Sequence, residues 1–310
     1  MGEPRLIEYE WMVKFTPQRE WIDRRGLLLW LAFFFTEIGA GIYFVALFLN
    51  SPHARLLGWL VTLILGGFIH TAFLGKPLRS WRIFLRLKSS ELSRGLWAIL
   101  LFAVIGFFQV LPVVFSNLPW TGEHPALKIV MGILCILLLT HGYITMGVVR
   151  ALPLWNTTAL IPLVLASGIW IGSQTVELML FFGGGDPLIA EIWSRWSLIG
   201  YMATLTIFIW GAYYSSESAR VSVKRLLRGD ASVRFYIGVI IIGIIIPLII
   251  TLFFWKSAVG RMSGGFLITR FVCVIIGDLV MRYSIMRCAD PGQLVCPQPL
   301  ASAFLFIMIP

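Results

Sequence analysis

The chain has 310 residues, of which 58% are hydrophobic and 13% are charged, and its mean hydropathy is +0.87. Soluble domains carry about 25% charged residues, so this composition excludes an ordinary water-soluble globular protein. The net charge of +10 does not indicate nucleic-acid binding, because the cations lie in short blocks between apolar runs, as they do at the ends of membrane spans.

The first 25 residues differ from the rest of the chain because they mix charged residues with Trp11, Phe15 and Trp21. Aromatic anchors among charges are typical of a segment that lies at the membrane surface. The segment lacks the charged start and short apolar core of a cleaved signal peptide. We therefore expect an interfacial N-terminal segment over residues 1–25.

Eight stretches of the sequence are long and apolar enough to cross a membrane, which takes about 20 residues. They cover roughly 26–49, 56–75, 95–115, 127–149, 156–182, 196–214, 235–255 and 264–286. Each should be a helix, because lipid cannot satisfy free backbone N–H and C=O groups. The sequence thus predicts an all-α integral membrane protein: a bundle of about eight transmembrane helices over 26–287 with short loops, and a C-terminal tail over 288–310.

The distribution of cations predicts the orientation of the bundle. Eight spans place both ends of the chain on one face of the membrane, which we call side A. Nineteen of the 25 cations fall on side A and five on the opposite face, side B, while Arg270 lies inside the eighth span. The positive-inside rule therefore predicts that side A and both termini face the cytoplasm.

Several polar residues lie inside the predicted spans, where they are costly and therefore candidates for function. By depth they form two groups. The group nearer side A contains Glu37, His70, His141, Tyr143 and Asp278. The group nearer side B contains Gln109, Gln174, Glu177 and Arg270. The first group offers the donors and proton-exchanging carboxylates that a quinone head group needs. The second either continues a proton route or forms a paired structural cluster.

Two other interpretations of these residues stay open. His70 and His141 lie at matched depth, which also fits the paired histidine ligands of haem in a b-type cytochrome subunit. Alternatively the protein is a purely structural anchor, in which Glu37 hydrogen-bonds across a close helix contact made by the small residues "IGAG" (38–41). No CxxC motif occurs, so the sequence contains no motif for an iron–sulfur cluster or for haem attachment.

Three stretches resemble the polysulfide reductase membrane subunit (NrfD-like) family. They are "RGLLLWLAFFFTEIGAGIYFVALFL" (25–49), "HTAFLGKPLRSWR" (70–82) and "SSELSRG" (89–95). The span count and the length agree with the family, so the resemblance extends over most of the chain. In this sequence three residues separate His70 from the "LG" pair, whereas the family's histidine is adjacent to it. A more distant relative opens its third span with a glutamate, where this sequence has Gly95.

The resemblance implies a haem-free subunit, in a prokaryotic cytoplasmic membrane, that binds menaquinone or ubiquinone. It also implies a ferredoxin-like iron–sulfur subunit docked on the membrane domain. That subunit would connect it to a catalytic subunit of the molybdopterin or tungstopterin type, or to a multihaem cytochrome. Either this partner is cytoplasmic, or the side-A cations serve docking and mislead the positive-inside rule.

The resemblance also guides the choice of site residues. His70, His141 and Tyr143 would bind the quinone, and Arg79 and Arg82 would shape the entrance to its pocket and the partner surface. Glu37 and Asp278 would exchange protons with it. Glu177 and Arg270 would carry protons from side B.

Overall fold

A computed structural model contains eight helices that are long and apolar enough to span a membrane. They make up most of the described part of the chain and confirm the predicted all-α bundle. The structure describes residues 26–74, 77–88, 90–115, 117–120, 122–149, 152–255 and 263–289, with the backbone alone for 77–80. The predicted segment 1–25 and nearly all of the tail 288–310 lie outside these ranges.

We number the helices in chain order. They are α1 Gly26–Phe48, α2 Pro52–Phe73, α3 Glu91–Val114, α4 Pro125–Gly147, α5 Leu160–Phe182, α6 Leu188–Ser215, α7 Glu217–Arg228, α8 Ser232–Phe253 and α9 Gly264–Cys288. All except α7 are long enough to span a membrane, and they alternate in direction. A 3₁₀ helix, Pro77–Arg86, lies on side A between α2 and α3.

The sixth span begins earlier than hydropathy predicts, at Leu188 rather than near residue 196. Glu191 lies in the first turn of α6, is 1% exposed and forms an ion pair with Arg195 one turn later. This pairing neutralises the buried Glu191 carboxylate with a partly buried guanidinium on the same helix. A sequence average counts them as polar, which is why the predicted span begins too late.

Helix α7 was not predicted, because its sequence appears only as a block of side-A cations. It is amphipathic: Val223 and Leu226 are buried, while Lys224 and Arg228 are exposed. The hydroxyl of Ser216 caps its first turn by accepting a hydrogen bond from the N–H of Ala219 at 3.2 Å. The cation block is therefore a helix that packs one face on the bundle and presents its charges on side A.

Helices α1 and α5 form the centre of the bundle. Helix α1 contacts α2, α4, α5 and α9, and α5 contacts α1, α4, α6 and α9. Gly41 allows α1 and α5 to touch, because a methyl group there would overlap the backbone of Gly168. The close approach expected from "IGAG" is confirmed. Polar side chains on α1 and α5 consequently lie inside the protein and not in lipid.

A charged brace joins α2 to the α3–α4 connection on side B. Arg55, in the first turn of α2, is 2% exposed and forms an ion pair with Glu123. The Nζ atom of Lys128 lies 2.6 Å from the other carboxylate oxygen of Glu123. Partial burial raises the pKa of Glu123, but hydrogen bonds from Lys128 and Arg55 outweigh burial. The pKa therefore lies below its ordinary value of 4.5.

We expect Glu123→Gln to lower the stability of the protein at neutral pH by about 1–3 kcal/mol, because buried Arg55 loses its anion. A carboxyl group whose pKa is lower in the folded state stabilises the fold fully above its unfolded pKa and loses this effect as the pH falls through the folded value. The difference in Tm between the wild type and Glu123→Gln should therefore shrink below about pH 4.5. A difference that stays constant down to low pH would contradict this account of the brace.

Candidate functional site

A buried group of charged and polar side chains surrounds Arg282 in the half of the bundle nearer side A. Arg282, on α9, forms an ion pair with Glu37 of α1, and its Nε lies 2.6 Å from Oδ2 of Asp278 one turn earlier. Its Nη2 donates to the hydroxyl of Ser167 on α5 at 3.0 Å, and that hydroxyl donates to Asp278. Its Nη1 lies 3.3 Å from the hydroxyl of Tyr143 on α4. We call these five residues the Arg282 cluster.

The Arg282 cluster contains one guanidinium and two carboxyl groups, and their side chains are at most 2% exposed. With both carboxylates ionised it would carry a net charge of −1, which is costly away from water. One proton on the pair of carboxyl groups makes the cluster neutral. The Oε1 atom of Glu37 accepts no hydrogen bond from the described residues. Glu37 therefore offers the open position at which this cluster can accept a proton.

Arg282 and Ser167 were not predicted to belong to the site. The position of Arg282 near the end of the eighth span predicts a cation flanking side A, whereas the structure places it inside the bundle at 1% exposure. Eighteen side-A cations remain against five, so the predicted orientation does not change. A signal for Arg282 was present: Arg270, Asp278 and Arg282 are spaced by multiples of four on α9 and thus share one face. Ser167 had a weaker signal, because its spacing places it on one face of α5 with Gln174 and Glu177.

His70 lies near the side-A end of α2, three residues beyond a π-helical stretch, Val61–Gly67. Its ring is partly buried, and its edge meets the ring of Phe33 with centroids 5.4 Å apart. The Nδ1 atom lies 3.0 Å from the carbonyl oxygen of Gly66. A carbonyl can only accept, so Nδ1 carries the hydrogen and Nε2 of the neutral ring is a hydrogen-bond acceptor.

His141 on α4 lies near His70, because Phe33 contacts both the His70 ring and Gly142, the residue after His141. Its Nε2 is 3.3 Å from the hydroxyl of Thr145, one turn along the helix. The start of α3 packs directly on the imidazole, because a methyl group on Gly95 would overlap the ring. A residue without a side chain at position 95 is therefore needed for α3 to pack on His141 in this way.

The two histidines, which we call the histidine pair, adjoin the Arg282 cluster through Phe33 and Gly142. A methyl group on Gly142 would lie 2.5 Å from Oε1 of Glu37 and 3.0 Å from Cδ1 of Phe33. Phe33 and Glu37 are four residues apart on α1 and share a face. The Oε1 atom of Glu37 therefore lies against α4 beside His141, one helical turn from the ring that touches His70.

The remaining side-A candidates are placed apart from the histidine pair. Tyr143 is two residues beyond His141, so it points to another side of α4 and joins the Arg282 cluster. Arg82 is exposed, and its guanidinium lies over the neighbouring Trp81 ring, 5.7 Å from the centroid. The side chain of Arg79 lies outside the part of the structure that is described. Glu91 forms a surface ion pair with Arg94.

In the half nearer side B the charges are balanced. Glu177 of α5 and Arg270 of α9 form an ion pair, and each is at most 2% exposed. Glu191 and Arg195 of α6 form a second pair whose charges act on Glu177. Two carboxylates thus face two guanidinium groups. This group is neutral without taking up a proton, unlike the Arg282 cluster.

The two glutamines of the side-B group differ. Gln109 accepts a hydrogen bond from the hydroxyl of Tyr43 at 2.6 Å and donates to the carbonyl of Gly122 at 3.0 Å, which joins α1, α3 and the α3–α4 connection. Gln174 is 2% exposed, and neither amide atom has a hydrogen-bond partner among the described residues. Gln109 is therefore held by the fold, while Gln174 is a buried polar group with free bonding capacity.

The fold and this site define a multi-pass membrane protein whose bundle encloses an ion cluster with unequal charges. Comparison with known proteins gives the family. The chain belongs to the polysulphide reductase NrfD family, whose pattern it matches over residues 25–295. It is also similar to the "Protein NrfD homolog" of Haemophilus influenzae, with 24% identity over 165 residues. These residues are 51% of this chain and 51% of that relative, so the chain matches about half the length of the curated relative.

Proposed function

We propose that this protein is the quinone-reactive membrane subunit of an oxidoreductase complex, exchanging electrons between a docked iron–sulfur subunit and menaquinone or ubiquinone with coupled proton transfer. The observation that carries the proposal is the Arg282 cluster, which is neutral only when it holds a proton and which adjoins two histidines. Family membership supports the role of a membrane subunit in an oxidoreductase complex.

The residues present fit a quinone head group at the histidine pair. The Nε2 atom of His70 can accept a hydrogen bond from a quinol hydroxyl, or can donate to a quinone carbonyl when the ring is protonated. Gly95 leaves the His141 ring in place where a larger residue would displace it. The Oε1 atom of Glu37 is buried and has no hydrogen-bond partner in the part of the chain that the structure describes. The Nε2 atom of His70, the ring of His141 and the carboxyl group of Glu37 therefore lie in one region between α1, α2, α3 and α4.

The chain's own residues would hold the head group and manage its protons. A bound quinone would supply two-electron, two-proton redox chemistry. His70 and His141 would orient the head group, and His70 would take up or return a proton at Nε2. Glu37 would exchange a second proton at Oε1 and share it with Asp278. Arg282 would hold both carboxyl groups in place and balance the negative charge that remains when the proton leaves.

The partner subunit would dock on side A near the 3₁₀ helix, Pro77–Arg86. Trp97 of α3 holds this helix in place by donating from Nε1 to the carbonyl of Phe84 at 3.1 Å. Its outer surface combines apolar and basic side chains, since Leu85 is 71% exposed and Arg82 and Arg86 are exposed as well. A surface of mixed apolar and positive character fits a soluble partner with an acidic face.

We expect Gly95→Ala to lower quinol-linked turnover by about 10- to 100-fold, because the added methyl group displaces the His141 ring. Gly132→Ala on α4 is the matched control, since a methyl group there meets no atom within 4 Å. Both changes replace a helical glycine with alanine, which favours the helix. The measurement is quinol-dependent electron transfer in membranes that contain the whole complex, with the amount of each variant determined.

Two results would contradict the proposed quinone site. Equal turnover in Gly95→Ala and Gly132→Ala would show that the position of His141 does not matter to quinol chemistry. A Soret absorption band on the purified chain that disappears in His141→Ala would replace the proposal with a b-type cytochrome in which the histidine pair binds haem.

We further propose that protons reach the Arg282 cluster from side B by way of Glu177 and Arg270. The support is a row of polar positions on one face of α5: Ser167, Trp170, Gln174 and Glu177. The Nε1 of Trp170 and both amide atoms of Gln174 are buried without partners among the described residues. Ordered water bridging such groups would connect the two halves of the bundle, about 15 Å apart by helical rise.

The side-B route predicts a specific phenotype for the double change Glu177→Gln with Arg270→Gln. Removing both members of the ion pair leaves no unpaired buried charge. In proteoliposomes, we expect fewer protons to be taken up from side B for each electron transferred to or from quinone. An unchanged ratio of protons to electrons would rule out this route and leave Glu177 and Arg270 as a structural pair.

A further inference from the structure

An apolar groove runs along the outside of the bundle between α1, α8 and α9, at their side-A ends. It has a volume of about 580 Å³. Its walls are mainly aliphatic and aromatic, with Leu27 and Trp30 from α1, Ile237 and Ile242 from α8, and Ile276 and Leu279 from α9. Ile237 is 51% exposed and Ile276 is 40% exposed, so the groove opens to the outer surface of the bundle.

Two cations are held at the side-A end of this groove by Tyr283, which lines it. The guanidinium of Arg234, in the first turn of α8, lies 5.7 Å from the centroid of the Tyr283 ring. Arg287 donates from Nη1 to the Tyr283 hydroxyl at 2.8 Å. Both arginines are exposed. The mouth of the groove therefore carries two exposed guanidinium groups.

We propose that this groove binds one anionic phospholipid. Its phosphate would lie between Arg234 and Arg287, and an acyl chain would lie along Ile237, Ile242 and Ile276. Basic pockets between transmembrane helices recognise anionic head groups by charge, while the apolar walls bind acyl chains of any lipid. The site is separate from the proposed quinone chemistry and does not depend on it.

The test is native mass spectrometry of the full chain, in nanodiscs of phosphatidylcholine with or without phosphatidylglycerol. We expect the wild type to retain phosphatidylglycerol in preference to phosphatidylcholine. Each of Arg234→Gln and Arg287→Gln should weaken this retention about fivefold. Ile276→Trp should displace the lipid by filling the groove. Lys88→Gln, which removes an exposed side-A cation on the 3₁₀ side of the bundle, should retain lipid as the wild type does.

Other outcomes would overturn the proposal. Equal retention of both lipids by the wild type would show that the cationic mouth does not select a head group. Retention that survives Ile276→Trp would place the lipid elsewhere. A crosslink from a cysteine placed at Ile237 to residues 1–25 in lipid would show that the chain's own N-terminal segment, not a lipid, covers the groove.

Discussion

Replacing Glu37 with glutamine should reduce quinol-linked electron transfer by about 100-fold or more while leaving the fold intact. Glutamine has the shape of glutamate but cannot exchange a proton at pH 7. The remaining charges, Arg282 and Asp278, are equal and opposite, so the variant needs no proton to be neutral. We therefore expect a large loss of turnover in membranes together with a Tm equal to or above that of the wild type.

The control for this experiment is Glu217→Gln, which removes a side-A carboxylate that is 72% exposed and pairs with Arg220. It should change neither turnover nor Tm appreciably. If Glu37→Gln kept wild-type turnover, Glu37 would be a structural contact between α1, α4 and α9. A marked fall in the Tm of Glu37→Gln would contradict the charge count on which the site proposal rests.

Arg282→Gln should lower the stability of the protein by about 3–5 kcal/mol. The guanidinium is 1% exposed and is the centre at which α1, α4, α5 and α9 meet. Without it two buried carboxyl groups face each other with no cation. The measurement is thermal unfolding of the purified protein in one defined lipid mixture, compared with the wild type.

Two further variants separate charge from shape at this position. Arg282→Gln combined with Asp278→Asn removes one anion with the cation, so it should recover part of the lost Tm. Arg282→Lys keeps the charge but cannot contact Glu37, Asp278, Ser167 and Tyr143 at once, so it should recover less than full stability. A single Arg282→Gln variant as stable as the wild type would show that the ion pairs contribute little to holding the four helices together.

The sequence was sufficient to predict the spans, since a membrane helix is defined by about 20 apolar residues irrespective of its neighbours. The differences arise where polar residues pair locally. Glu191 and Arg195 neutralise each other within α6, so the helix begins before hydropathy indicates. Helix α7 was not predicted because its apolar residues occupy one narrow face of the helix. The cations between them lower the mean hydropathy of the segment.

The sequence predicted which residues belong to the site better than it predicted the contacts between them. Depth alone selected Glu37, Asp278 and Tyr143, and these do lie together. Arg282, which joins them, was assigned to the membrane surface because it is near the end of its helix. Its partner Glu37 is 245 positions away in the sequence, and no local pattern encodes a contact of that separation. The charge imbalance of the cluster becomes visible only once that contact is known.

We propose that Glu37 and Asp278 exchange a proton with a quinone bound beside His70 and His141 when the quinone changes its redox state. Infrared difference spectroscopy of the quinone-loaded protein during electrochemical reduction measures this exchange directly. We expect a signal from a protonated carboxyl group that appears or disappears on reduction in the wild type, is lost in Glu37→Gln, and persists in Glu217→Gln. Reduction of the bound quinone with no carboxyl signal in the wild type would contradict the account.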